Sequence, residues 1–184
     1  MREIFRKTSH MAFGLLITAF IFLSPHDLAV QVMTAVVFVS VAIADAISKG
    51  YNIPLFSAIV NRMERDVNVP GKGAIVFFIS ALLCTVIFSN DYAAIAILVL
   101  SVTDGISTIV GTKAGRHRLY KKKSWEGTAA GLIAGFIVLL PFLTPATAVI
   151  LAIAGSAAEL LSPIDDNLTV PFVVCIVLYA LQFI

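Results

Sequence analysis

Between Asp104 and Thr128 the chain carries residue types that phosphate chemistry uses, and it carries them at the edge of apolar sequence. Asp104 stands inside an apolar run. Thr108, Gly111 and Gly115 follow at spacings that place all four residues within about 60° on one helix face. A cationic stretch comes next, with Lys113, Arg116, Arg118, Lys121, Lys122 and Lys123. Ser124-Trp125-Glu126-Gly127-Thr128 then leads back into apolar residues. Asp104 is expected roughly 12 Å below the end of its helix, at a rise of ~1.5 Å per residue. An ionised group at that depth in lipid is costly, so it should face the bundle interior with a partner. It suits a metal or proton site. Gly111 and Gly115 either open that face as a phosphate cradle or form a small-xxx-small packing surface. Ser124 is a candidate N-cap and Glu126 falls in the first turn. A helix N-terminus beside Lys122 and Lys123 suits phosphate. Gly127, Gly131 and Gly135 repeat every four residues, and the last two read as close-packing positions.

Further candidates lie elsewhere. Arg6, Lys7 and His10 open the first apolar run, with Arg6 and His10 on one face at i, i+4. Asp45, Glu159, Asp165, Asp166 and Asn167 are oxygen donors expected near the same membrane surface as the cationic stretch. Mg²⁺ takes such ligands and keeps waters while bound to substrate phosphates. His10, His26 and His117 are too scattered for a transition-metal site. The sequence has no GxxxxGK[ST] phosphate loop, no GxGxxG fingerprint after a strand and no GxSxG nucleophile elbow. Phosphate binding here would use neither standard soluble nucleotide fold.

The elements that must position these residues are membrane helices. Of 184 residues, 59% are hydrophobic and 13% charged. A soluble domain is usually nearer half apolar and a quarter charged. Apolar runs predict seven spans, at about 10–23, 28–48, 73–89, 92–112, 127–143, 145–161 and 168–184. They are helices, because a lone apolar segment in lipid must satisfy its own backbone. The reading is an all-α polytopic bundle forming one integral-membrane domain over 1–184. Ser24-Pro25-His26 follows the first run where a signal peptide would have a small-residue cleavage site, so this segment is expected to be retained. Cys84 and Cys175 lie in apolar runs and are expected reduced and packed.

Charge supplies a check on the count. With seven spans, the N-terminus, 49–72, 112–126 and 162–167 share one side and hold all 13 Lys and Arg residues. The opposite turns at 24–27, 90–91 and 144 hold none. The positive-inside rule then makes the N-terminus cytoplasmic and the C-terminus external. Among the 11 acids only Asp27 and Asp91 fall on the external side, so chemistry is expected at the cytoplasmic face.

Three stretches together resemble one family, the CTP-dependent lipid kinases that include dolichol kinase, phytol kinase and the CTP-dependent diacylglycerol kinases. Arg6-Lys7-Thr8-Ser9-His10 resembles the family's N-terminal RKxxH. Asp104 through Gly111 and Gly115 to Lys122-Lys123-Ser124-Trp125-Glu126-Gly127-Thr128 resembles its CTP-binding segment. Glu159-Leu160-Leu161-Ser162-Pro163 with Asp166-Asn167 and Pro171 resembles its ExxSP…DNxxxP ending. Val69-Pro70-Gly71-Lys72-Gly73 is a weaker fourth match, and it brings in Lys72. The resemblance implies transfer of the γ-phosphate of CTP, with Mg²⁺, to the hydroxyl of a membrane lipid alcohol such as a polyprenol or dolichol. No nucleic-acid partner is expected. The implied roles follow the matched positions. Asp104 binds Mg²⁺ or accepts the hydroxyl proton. Arg6 and Lys7 neutralise phosphate. Lys122, Lys123 and the Ser124–Thr128 helix start hold phosphates. Asp166 and Asn167 complete the metal site. The membrane would be the cell membrane of a prokaryote or the endoplasmic reticulum of a eukaryote.

Two rival readings are a cytidylyltransferase forming a CDP-lipid and a small transporter lined by Asp45, Asp104 and Glu159. The transferase signature, a PGHGGxxDRxD run, is replaced here by SPIDDNLTVP. A transporter path would spread its acids across the membrane, whereas these gather near one face.

Overall fold

The structure is a computed structural model that describes residues 2–54, 56, 70–120 and 123–182. Seven helices stand among the described residues: α1 (Arg2–Leu23), α2 (His26–Ser48), α3 (Lys72–Ile87), α4 (Asn90–Ala114), α5 (Trp125–Leu139), α6 (Pro145–Leu161) and α7 (Asp166–Leu181). The all-α expectation holds apart from one small feature. The cationic stretch forms an antiparallel hairpin, β1 (Arg118–Tyr120) with β2 (Lys123–Ser124).

Local chemistry sets the helix starts. The side chains of Ser89, Ser124, Thr144 and Asp165 each accept a backbone N–H of the first turn they precede. That satisfies donors which a helix start leaves unpaired. Gly71 precedes α3 at φ +74°, a conformation that favours glycine. Pro145 occupies the first turn of α6, where its missing N–H costs nothing. Pro171 is different: it lies inside α7 and has no N–H to give the Asn167 carbonyl one turn back.

Helix α4 is the axis of the bundle. It is buried without a break from Ala93 to Gly105. Helices α1 and α5 flank it, α6 and α7 also pack on it, and α2 reaches the bundle mainly through α3. Small residues allow this closeness. A Cβ at Gly14 of α1 would lie 1.9 Å from Ser101 Oγ, and one at Gly127 of α5 would lie 2.5 Å from the Ser107 carbonyl oxygen. The expected packing role of Gly131 and Gly135 holds, since both abut Thr103 of α4. Cys84 and Cys175 are free and buried, as expected.

The other helices turn large apolar side chains outward, among them Leu16, Phe38, Val86, Ile137, Ile153 and Ile176. Helix α4 exposes none. An apolar exterior of this extent suits lipid better than water. Two helices, His26–Ser48 and Asn90–Ala114, are long and apolar enough to cross a membrane.

Candidate active site

The first half of the site joins α1 to α4. The Asp104 carboxylate is buried and Lys7 Nζ donates to it. The expectation that Asp104 faces the interior with a partner is met by a residue 97 positions away. His10 lies one turn below Lys7, with Nε2 4.0 Å from Asp104 Oδ2. Its ring stands edge-to-face on Phe77 of α3, centroids 4.8 Å apart. Arg6 pairs with Glu3 on its own helix, and its Nε is buried without a hydrogen-bond partner.

The second half joins the hairpin to α6 and α7. Lys123 Nζ lies 3.2 Å from Glu159 Oε1 and 3.0 Å from Asp166 Oδ2, and it also donates to the Glu159 carbonyl. Burial works against the Lys123 ammonium. The Glu159 and Asp166 charges outweigh it and hold the pKa above that of a free lysine. Ser107 connects the halves. Its hydroxyl donates to Glu159 Oε1 at 2.6 Å and sits 3.3 Å from the Asp104 carbonyl oxygen.

The hairpin is locked to the start of α5. Glu126 pairs with His117 Nδ1 at 2.7 Å and accepts the His117 backbone N–H. Backbone N–H groups at its own helix start, then the His117 side chain, hold its pKa at about 2. Trp125 N–H donates to the His117 carbonyl and Gly127 N–H to the Ser124 hydroxyl. Ser124 is therefore the N-cap the sequence suggests. It also means that part of the α5 N-terminus is satisfied internally.

Gly111 and Gly115 make packing contacts: a Cβ would lie 3.2 Å and 2.6 Å, respectively, from Ser124 Oγ. Gly115 is the C-cap of α4, beyond its helical face, and its N–H donates to the Gly111 carbonyl. Thr128 is half-buried in the first turn of α5. Asp165 caps α7, and the Asn167 N–H donates to it at 3.0 Å. Asp45 is not in the site: its side chain is 58% exposed and pairs with Lys49 along α2. Lys72 is exposed at the start of α3. Lys122 lies outside the described residues, as do Lys121 and 57–69.

Three contributors are absent from the sequence reading: Ser107, Phe77 and, as the partner of Glu126, His117. Ser107 was accessible in principle, since i+3 from Asp104 lies on its face. Phe77 was not, because nothing in its apolar helix marks it as facing His10.

Mg²⁺ fits the donor set in one respect. Lys123 holds two carboxylates around one positive charge, and the donors are all oxygen. Among the described residues no group of three or more His, Cys, Asp or Glu converges on a point. Such a cage is unnecessary for Mg²⁺, which is usually held by one or two carboxylates plus substrate phosphates.

No protein-family model and no solved structure matches the chain. Curated proteins do match. An uncharacterized protein of Methanocaldococcus jannaschii is 31% identical across 97% of this chain and 93% of its own length. Phytol kinase of Synechocystis is 39% identical over 93 residues, covering 44% of this chain and 40% of that enzyme. CTP-dependent diacylglycerol kinase 1 of Schizosaccharomyces pombe is 24% identical across 98% of this chain and 94% of its own. The chain, which gathers Lys7 with Asp104 and Lys123 with Glu159 and Asp166, is thus similar to CTP-dependent lipid kinases, to one of them from end to end.

Proposed function

We propose that this protein transfers the γ-phosphate of CTP to the hydroxyl of a membrane lipid alcohol, most readily a polyprenol-type isoprenoid. The observation that carries the reading is the pairing of Lys7 with Asp104 beside Lys123 with Glu159 and Asp166. Phosphoryl transfer needs positioning and charge neutralisation more than covalent help from the protein. Amines and acids alternating at one rim can provide both.

In this reading seven helices span the membrane, with the N-terminus and the site on the cytoplasmic side. Lys123, Lys122 and Arg6 receive the triphosphate. Asp104, already held by Lys7, accepts the proton of the attacking hydroxyl. The alcohol oxygen bonds to the γ-phosphorus, the γ-phosphorus–oxygen bridge to the β-phosphate breaks, and its electron pair leaves with CDP. Asp166, Asn167 and Glu159 would hold Mg²⁺. Bound there, Mg²⁺ would neutralise charge on the β- and γ-phosphate oxygens. The lipid tail stays in the bilayer while its hydroxyl reaches the rim from between the helices.

Purified protein supplied with CTP labelled at either phosphorus, and with a panel of lipid alcohols, tests the proposal. Label from the γ position should enter the lipid. Label from the α position would instead mean a cytidylyltransferase. Asp104→Asn should abolish turnover in protein that remains folded and inserted, and near-normal activity in that variant would remove Asp104 from the mechanism.

A further inference from the structure

We infer that the acceptor hydroxyl docks between His10 Nε2 and the Asp104 carboxylate, which makes His10 the residue that positions the nucleophile. The inference rests on the kinase reading and assigns a place to its second substrate.

His10 Nε2 is buried and has no hydrogen-bond partner. Leaving a buried polar group without a partner is unfavourable, so a site that tolerates it is suited to a ligand. The nitrogen is 4.0 Å from Asp104 Oδ2, too far for a hydrogen bond between them. An oxygen about 2.8 Å from both atoms would see them at an angle of about 90°, which a hydroxyl accommodates.

The chemistry of the two groups selects an alcohol. The ionised Asp104 carboxylate only accepts, and a neutral imidazole with its proton on Nε2 donates there. A hydroxyl can satisfy both, donating to Asp104 and accepting from His10. The lipid proton then already points at the group proposed to receive it.

The ring is also held in place. Phe77 packs on it edge-to-face at 75°, and Lys7 fixes the carboxylate by donating to Oδ2, the same oxygen that His10 approaches. Sequence order along α1 matches a phosphate-to-tail order in the substrates. Arg6 and Lys7 come first, and His10 follows three residues or about 4.5 Å deeper. From Met11 to Leu23 the helix has no charged residue. A headgroup of one hydroxyl on an apolar chain fits this gradient.

The full chain in detergent is assayed with geranylgeraniol, phytol and dioleoylglycerol, and variants are compared on whichever is turned over fastest. His10→Phe keeps a ring against Phe77 but removes the nitrogen. It should raise KM for the alcohol at least tenfold and leave CTP affinity within twofold. His10→Gln, which restores a polar atom, should recover much of the loss. An unchanged alcohol KM in His10→Phe, with the wild type active, overturns the docking site and leaves the kinase reading standing. Direct binding of the same alcohol, measured calorimetrically, separates the converse case. Weakened alcohol binding in His10→Phe with no transfer by the wild type would keep the docking site and sink the kinase. The O-methyl ether guards against a variant that fails to fold, because it cannot donate to Asp104. It should bind the unaltered chain at least tenfold more weakly than the alcohol, and equal binding overturns the inference.

Discussion

Lys7 and Asp104 are a buried pair whose members are useful together and costly apart. Their side chains are 14% and 4% exposed, so neither is well solvated if the other is lost. Removing one partner of a buried ion pair typically costs about 3–5 kcal/mol, while replacing both can be nearly neutral. Lys7→Met should therefore destabilise the protein by about 3 kcal/mol, and Lys7→Met with Asp104→Asn by clearly less than the sum of the single changes. Denaturant unfolding in detergent measures this cycle. Additive effects would mean that the two side chains do not interact in the membrane. This pairing was only half legible in the sequence. That Asp104 needs a partner follows from its place in an apolar run. That the partner is Lys7 does not, because no local spacing relates residues 97 apart.

The helices follow the apolar runs closely. The sixth run is expected at 145–161 and α6 is Pro145–Leu161, because Thr144, Pro145 and the Ser162-Pro163 exit mark its ends. The hairpin was not legible. Its strands are three and two residues long and cationic, without the alternation that marks a strand. Glu126 ties it to the start of α5, and the weight of that tie is testable by pH. The Glu126 pKa is depressed to about 2 from an ordinary 4.5, so its contribution is present in full above about 4.5 and is lost as pH falls toward 2. Trp125, the chain's one tryptophan, sits at this junction and is largely exposed. Its fluorescence should hold steady from pH 7 to 5 and shift between about 4.5 and 2, and Glu126→Gln should lack that acid transition. An acid transition that persists unchanged in Glu126→Gln would mean that another group holds the hairpin.

At the scale of the molecule, one buried helix is surrounded by helices that turn apolar faces outward. With the sorting of all 13 Lys and Arg residues to alternate connections, this supports seven spans with the cations inside. In a background with Cys84 and Cys175 replaced by alanine, Asp27→Cys should react with an impermeant maleimide on intact cells. Lys49→Cys should react only after permeabilisation. The reverse pattern would turn the protein over. The central place of α4 has a consequence for biosynthesis. Asp104 is the fourth helix's contribution, so Lys7 has no partner there until α2, α3 and most of α4 have been made. Lys123, in turn, cannot hold Asp166 until the chain has reached the first residue of α7. The two ion pairs are thus completed in sequence order, Lys7–Asp104 before Lys123–Asp166, and the second closes only late in synthesis.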